Sequence, residues 1–133
     1  HVMDYKVTGT YSTKVGKPEW EQQLNIYAWL LRQNDMPVKS LTICAICRDW
    51  SAMKVEREKR YPVSPIVTVD IPVWLPKAAQ DFVQERIELH ASESVPPCTD
   101  SERWARRDGR YVRCENYCSV ADFCPQFNEG KIL

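Results

Sequence analysis

The last third of the chain holds four of its six cysteines, and this crowding restricts how that part can fold. Cys114, Cys118 and Cys124 lie within a stretch of eleven residues, and Cys98 precedes them. The segment has few apolar residues with which to build a core, so a centre bound by the thiolates would contribute directly to its folding. Four soft ligands suit either a tetrahedral zinc ion or an iron–sulfur cluster. Disulfides or free cysteines are the alternative.

The bulk composition is typical of a folded domain without a membrane span. The chain has 133 residues, of which 44% are hydrophobic and 27% charged. No apolar run approaches the roughly 20 residues of a membrane-spanning helix, and no secretory signal opens the chain. We therefore expect no membrane partner and a reducing, cytoplasmic compartment. Because the formal net charge is zero, binding to a polyanion would have to come from local patches.

The apolar pattern predicts three strands and two helices. The strands are expected at 1–11, 41–47 and 65–74, and the helices at 18–32 and from 76 to about 94. The polar stretch 48–62 between them is expected to lie at the surface. This order predicts an α/β or α+β core over residues 1–94, followed by a cysteine-rich module over 95–133.

Two segments have a pattern that also predicts which side chains face the core. In the strand at 65–74, alternate residues should point to one face, and Pro72 indicates an edge or a strand end. One set is expected to point one way, namely Val67, Val69, Ile71 and Val73, and the other set the opposite way, namely Ile66, Thr68 and Asp70. The second helix should bury Ala79, Phe82, Val83, Arg86 and Ile87.

The first helix carries an amide in its apolar stripe. Trp20, Leu24, Tyr27 and Leu31 recur at helical spacing, and Gln23 lies four residues before Tyr27 on the same face. An amide in such a stripe needs hydrogen-bond partners, since leaving it unpaired costs about 1–3 kcal/mol. The alternative is a glutamine at the edge of the helix, half in water.

The first strand contains the triplet Asp4–Tyr5–Lys6. Residues two apart on a strand share a face, so the carboxylate and the ammonium group should point into one site while the tyrosine points away. A carboxylate can bind Mg²⁺, and a neighbouring lysine can position or polarise a water molecule. The alternative is an ordinary surface ion pair on a strand.

Taken together, these residues resemble the PD-(D/E)xK nuclease superfamily. A strand ending in an acid-x-lysine triplet, followed by a helix with Q-x-x-x-Y, is similar to its RecB-like branch, with the CRISPR-associated and phage exonuclease members. The resemblance implies a restriction-endonuclease-like core with a mixed sheet flanked by helices. It implies that Asp4 binds Mg²⁺ or Mn²⁺ and Lys6 activates water, while Gln23 and Tyr27 help to hold the site and the nucleic-acid backbone.

One departure from the family concerns a second metal-binding acid. Members of the superfamily carry it upstream of the acid-x-lysine strand, whereas only three residues precede Asp4 here. We therefore expect the chain to be the C-terminal part of a nuclease core that is poorly active alone. Its expected partners are DNA, the missing N-terminal part, and a recombination or CRISPR partner protein.

The cysteines extend the resemblance. Relatives with an iron–sulfur cluster end in a triplet, commonly C-x2-C-x5-C, preceded by one distant cysteine. Here the x5 gap and the proline after Cys124 match, whereas the first gap is three residues and Cys98 lies downstream of the nuclease motifs. The resemblance favours a 4Fe–4S cluster on the four cysteines and leaves zinc as the alternative. Cys44 and Cys47, three apart on a strand, are expected to be small buried hydrophobes.

The module also contains five arginines interleaved with aromatic residues. They are Arg103, Arg106, Arg107, Arg110 and Arg113. Arginine and aromatic side chains together suit a phosphate backbone and splayed bases. The alternative is a solvated loop that covers the metal centre.

The function predicted from these patterns is metal-dependent hydrolysis of DNA phosphodiester bonds. The enzyme would be exonuclease-like and would act in phage or bacterial recombination, repair or spacer processing. The alternative is a non-catalytic nucleic-acid- or protein-binding module with a structural zinc or iron–sulfur centre and a degenerate nuclease fold.

Overall fold

A three-stranded mixed sheet organises the first part of the protein, as a computed structural model of residues 1–92 and 96–129 describes it. The central strand, β2 (Leu41–Cys47), pairs in parallel with β1 (Val2–Thr8) and antiparallel with β3 (Ile66–Ile71). Six of the seven β2 residues are buried, because elements pack on both of its edges and one face is covered. The predicted buried strand at 41–47 is confirmed.

Four helices connect or follow these strands. They are α1 (Thr10–Val15), α2 (Pro18–Gln33), α3 (Ala52–Arg57) and α4 (Pro76–Ala91). Proline at the first position of α2 matches its fixed backbone angle, and the first turn carries two glutamates that favour the positive end of the helix dipole. The prediction of α2 is therefore confirmed to within one residue.

The predicted first strand is too long, because β1 ends at Thr8 and α1 begins at Thr10. The Asp49 carboxylate, just beyond β2, accepts hydrogen bonds from the Thr10 backbone N–H at 2.7 Å and its hydroxyl at 3.3 Å. The Asp49 side chain thus caps the start of α1, although it lies 39 residues away in the sequence. The backbone hydrogen bond from Thr10 is the main cause that lowers the pKa of Asp49.

The segment between β2 and β3 is a surface excursion, as predicted, but it is not irregular. It contains α3, of which no residue is buried. Tyr61 closes the excursion: its side chain is buried, and its hydroxyl accepts from the Ser51 backbone N–H at 3.0 Å and donates to the Asp49 carbonyl at 3.2 Å.

Helix α2 covers one face of the sheet and forms the core with it. Trp20, Leu24 and Ala28 of the helix pack against a row of buried residues on β2, namely Leu41, Ile43 and Ala45. The predicted stripe of α2 is wrong at Tyr27, which is 39% exposed. The helix is rotated so that Ala28 and Asn25, rather than Tyr27, face the sheet.

Asn25 is a polar side chain without solvent exposure inside this core. Its amide donates to the carbonyls of Glu21 and Pro72, both at 2.9 Å, and accepts from the backbone N–H of Trp74 at 2.8 Å. The Trp74 indole donates in turn to the Glu21 carboxylate at 2.5 Å. Asn25 therefore fixes α2 to the segment that leaves β3.

The other face of the sheet carries a group of exposed apolar side chains. Met3, Tyr5 and Val7 of β1 lie on it, and the register places Val7 beside Ile46 and Ile46 beside Ile66. These five side chains are between 40% and 71% exposed. Such a face is typical of an interaction surface.

The predictions for β3 and α4 hold in part. Strand β3 alternates as expected and ends at Ile71 before Pro72, but Val73 is exposed. In α4, Ala79 is buried and Phe82 meets Trp74 edge to face with ring centroids 5.2 Å apart. The prediction that Arg86 and Ile87 face inward is wrong. Both side chains lie on the solvent side of α4 and are exposed. Ser94 lies outside the described residues.

The chain divides into two compact units, His1–Ile87 and Glu88–Leu133. The described part of the second unit beyond α4 contains three short helices and one 3₁₀ turn. They are α5 (Asp100–Arg103), α6 (Val112–Asn116), the turn Ala121–Phe123 and α7 (Pro125–Glu129). The predicted boundary between residues 94 and 95 falls outside the described residues.

Among residues 1–92 and 96–129, none of the helices combines the length and apolar character needed to cross a bilayer.

Replacing Asn25 by leucine should destabilise the first unit by about 2–5 kcal/mol, because the Pro72 carbonyl and the Trp74 N–H would be buried without partners. Urea denaturation followed by circular dichroism measures the loss. Asn34→Ala is the matched control, since Asn34 is exposed and donates a single hydrogen bond to the Leu30 carbonyl. Equal stability losses in the two variants would contradict this role of Asn25.

Candidate functional site

Strand β1 presents Asp4 and Lys6 on the same face. Burial alternates along the strand: Val2, Asp4 and Lys6 are half-buried, whereas Met3 and Tyr5 are exposed. The two charged side chains therefore lie on the side of the sheet that α2 covers. The expected shared face is confirmed.

The two charged groups belong to a chain of four contacting side chains. The Lys6 ammonium lies 2.8 Å from Asp4 Oδ2 and donates to Gln23 Oε1 at 2.7 Å. The other end of the Gln23 amide, Nε2, donates to the Tyr27 hydroxyl at 2.5 Å. The strand and the helix thus bring together the four residues that the sequence singled out, and Gln23 and Tyr27 lie one helical turn apart.

One oxygen of Asp4 is left without a hydrogen-bond donor. Asp4 Oδ2 is buried and, among the described residues, accepts no hydrogen bond, although it lies within ion-pair distance of Lys6. The contact is therefore one of charge rather than an aligned hydrogen bond. A buried carboxylate oxygen with free lone pairs is the kind of ligand that a hard cation prefers.

The geometry also determines what Lys6 can do. An ammonium group has three N–H donors, and its contacts here are with one carboxylate and one amide oxygen. A donor therefore remains for a ligand oxygen. The Lys6 side chain is 27% exposed and that of Asp4 24% exposed, so both can be reached from solvent.

In the second unit, four cysteines line one cavity of about 300 Å³. They are Cys98, Cys114, Cys118 and Cys124, none of which forms a disulfide. Within residues 1–92 and 96–129, no three His, Cys, Asp or Glu side chains stand close enough to hold one metal ion. The cysteines thus share a cavity without forming the ligand set of a single ion.

Gln126 ties the distant cysteine to the others. Its side-chain amide accepts from the Cys98 backbone N–H and donates to the Cys98 carbonyl, each at 2.9 Å. This double hydrogen bond spans 28 residues and sets Cys98 beside α7, which directly follows Cys124. Sequence analysis did not identify Gln126, because no local pattern signals such a contact.

Three of the five predicted arginines have partners within the module. Arg103 stacks its guanidinium 3.3 Å from the centre of the Tyr111 ring, and Arg113 donates to the Glu102 carbonyl at 3.1 Å. Arg110 donates to Glu115 through two nitrogens, at 3.1 Å and 2.6 Å.

Arg106 and Arg107 are both exposed and lie in the hairpin between α5 and α6. In the part of the chain that the structure describes, neither side chain forms an ion pair or hydrogen bond. These two cations are therefore the ones free to bind a ligand.

Two aromatic residues, Trp104 and Tyr117, form an exposed pair whose ring centroids lie 5.4 Å apart. Trp104 has a left-handed backbone conformation (φ 55°, ψ 56°), which costs a non-glycine residue about 1–2 kcal/mol. It ends α5, and its N–H donates to the carbonyls of Asp100 and Ser101.

The two remaining cysteines are buried in the sheet of the first unit. Cys44 and Cys47 lie on opposite faces of β2 and both are buried. Burial raises the pKa of the Cys47 thiol, and the nearby charge of Asp49 raises it further. Both thiols suit the predicted role of small buried hydrophobes.

No protein-family model, curated protein or solved structure matches the chain.

The Glu115 carboxyl should titrate below an ordinary glutamate, because the Arg110 guanidinium donates to its charged form and lowers its pKa. Since the pKa is lower in the folded state, the contribution of this pair to folding is complete above the ordinary glutamate pKa and is lost as pH falls through the lowered value. A ¹³C NMR titration of the Glu115 carboxyl measures this. Arg110→Gln should raise the midpoint, whereas Arg107→Gln is the matched control. An unchanged midpoint in Arg110→Gln would refute the assignment.

Proposed function

We propose that this protein is a metal-dependent DNA nuclease of the PD-(D/E)xK type, similar to the RecB-like exonucleases. The single observation that carries the proposal is the chain of contacts Asp4–Lys6–Gln23–Tyr27, in which the buried Oδ2 atom of Asp4 accepts no hydrogen bond and lies 2.8 Å from the Lys6 ammonium. A lone acid-x-lysine triplet is common, but this four-residue arrangement across a strand and a helix is specific. It supports a site that handles a charged, oxygen-rich substrate.

Asp4 gives the site one carboxylate for Mg²⁺ or Mn²⁺, and the remaining ligands would have to come from outside the described residues. Mg²⁺ is commonly bound through one or two carboxylates together with substrate phosphates and water, and Asp4 offers such a carboxylate. When bound, the metal supplies Lewis-acid stabilisation of charge on the phosphoryl oxygens. Asp4 would hold it through its carboxylate.

Lys6 is the residue that we assign to water or phosphate positioning. Its ammonium is held by Asp4 and Gln23, so its remaining donor is restrained rather than free to rotate on a flexible stem. Gln23 orients Lys6 through Oε1 and is itself fixed by Tyr27. Such restraint favours catalysis, because a preorganised donor needs little rearrangement during the reaction.

We also propose that the cysteine-lined cavity holds a 4Fe–4S cluster. The four cysteines line one cavity of about 300 Å³, and four thiolates are the usual ligand set of such a cluster. Arg103 also lines the cavity and brings a positive charge to a centre of four thiolates. The cluster would stabilise the module and leave phosphodiester hydrolysis to the Asp4 site.

A further partner is proposed for β1 and the open face of the sheet. In the described part of the chain, β1 pairs with β2 alone, so its other edge can accept a strand. The exposed Met3, Tyr5 and Val7 side chains suit an apolar covering element. We propose that polypeptide docked at the free edge of β1 supplies the oxygen ligands that Asp4 does not.

When the polypeptide that completes the site is supplied, Asp4→Asn should abolish Mn²⁺-dependent cleavage of a fluorescent single-stranded oligonucleotide, because the neutral amide is a poor ligand for the metal. Lys6→Ala should reduce the cleavage rate by about 100-fold or more while oligonucleotide binding persists. Gln23→Ala should also lower the cleavage rate, because it removes the amide that holds Lys6. Gln22→Ala is the matched control, since Gln22 has no part in the Lys6 network. Rates in Mn²⁺ and in EDTA give the readout.

Normal turnover in Asp4→Asn would overturn the nuclease assignment. One observation favours a second function: Asp4 is the sole carboxylate in contact with Lys6 within the described residues. If the wild-type chain binds DNA but never cleaves it with Mn²⁺, even with the docked polypeptide supplied, it is the non-catalytic binding module.

Cys118→Ser should remove the iron–sulfur centre from anaerobically purified protein. The wild-type chain should be brown and contain about four irons per chain, whereas the variant should be colourless with a disordered module. Cys44→Ala is the control, because Cys44 lies in the sheet and not in the cavity. A colourless wild-type protein with one zinc would support the zinc alternative and contradict the cluster.

A further inference from the structure

The side chains of Trp104 and Tyr117 form an aromatic pair that is largely exposed to solvent. Trp104 is 50% and Tyr117 70% exposed, and their rings are tilted by 55°. Trp104 lies just before the hairpin of the module, and Tyr117 directly follows α6. Exposed aromatic faces of this kind can stack with planar ligands.

A short hairpin places two free cations next to this pair along the chain. The Val112 N–H donates to the Trp104 carbonyl, and the Arg106 N–H to the Arg110 carbonyl at 2.9 Å. A tight turn closes the hairpin, with the Gly109 N–H donating to the Arg106 carbonyl at 3.0 Å and Gly109 at a positive φ of 81°.

The acidic groups near the hairpin match only part of its positive charge. Asp108 is the acid at the tip, and its carboxylate accepts from the Arg110 backbone N–H at 3.1 Å. The Arg110 charge is matched by Glu115. Arg106 and Arg107 therefore give the hairpin a net positive charge that suits phosphates.

We propose that Trp104 and Tyr117 stack with unpaired bases of single-stranded DNA while Arg106 and Arg107 bind its phosphates. This inference rests on the proposed nuclease function and names its substrate as a single strand rather than a closed duplex. A duplex keeps its bases stacked on one another, so their faces cannot reach the two rings. A single strand offers both base faces and phosphates, which match the aromatic surface and the charge.

The test measures binding by fluorescence anisotropy in EDTA, which stops cleavage. The probes are a labelled oligothymidylate of 20 nucleotides, an abasic oligomer of equal charge, and a 20-base-pair duplex. Trp104→Leu keeps an apolar side chain and the fold but removes the aromatic face, so it should weaken oligothymidylate binding about 5–100-fold. Trp104→Phe should restore binding, and neither change should affect the abasic oligomer.

The arginines have a separate signature. Arg106→Gln with Arg107→Gln should weaken both single-stranded probes and reduce the slope of log K against log salt by about 1.4, since each phosphate contact contributes about 0.7. Phe123→Ala and Arg57→Gln are matched controls, because both side chains are exposed and lie outside the hairpin. These controls should bind like the wild type.

Several outcomes overturn the inference. The first is that the protein binds the duplex as tightly as oligothymidylate. The second is that Trp104→Leu and Trp104→Phe bind oligothymidylate equally well. The third is that the protein binds a protein partner but none of the three probes. A wild-type protein that binds single strands but does not cleave them in Mn²⁺, even with the docked polypeptide supplied, would instead overturn the nuclease function and leave the stacking site in place.

Discussion

The hydrogen bonds of Asn25 are the constraint on which the first unit depends. A helix can rotate about its axis on a flat apolar surface, and Trp20, Leu24 and Ala28 alone would allow more than one orientation. Asn25 removes this freedom, because its amide must reach the Pro72 carbonyl and the Trp74 N–H beyond β3. The rotation of α2 is therefore fixed by a buried polar group rather than by the apolar stripe.

The candidate site follows from that rotation. With Asn25 turned to the sheet, Gln23 lies over the edge of β1 and meets the Lys6 ammonium, while Tyr27 remains at the surface. The site thus stands at the boundary between core and solvent, where a ligand can enter. A different helix rotation would separate Lys6 from Gln23 and leave an ordinary ion pair on a strand.

Local patterns predicted much of this arrangement. The period of two on β1 was enough to place Asp4 and Lys6 together, and Pro18 was enough to place the start of α2. Contacts between distant residues were not predictable: Asn25 bonds groups 47 and 49 residues away, and Gln126 holds Cys98 across 28 residues. One missed signal was local, since Thr99 and Glu102 form a capping box that their spacing predicts.

Binding of Mn²⁺ to the 133-residue chain is the most direct test of the account. Electron paramagnetic resonance of free Mn²⁺ counts the sites, and broadening of the Asp4 and Lys6 amide signals in NMR locates them. We predict a weak site that broadens these two signals and disappears in Asp4→Asn but not in Asp70→Asn, an exposed aspartate on β3. Mn²⁺ binding that survives Asp4→Asn, or that leaves the β1 signals sharp, would contradict the account.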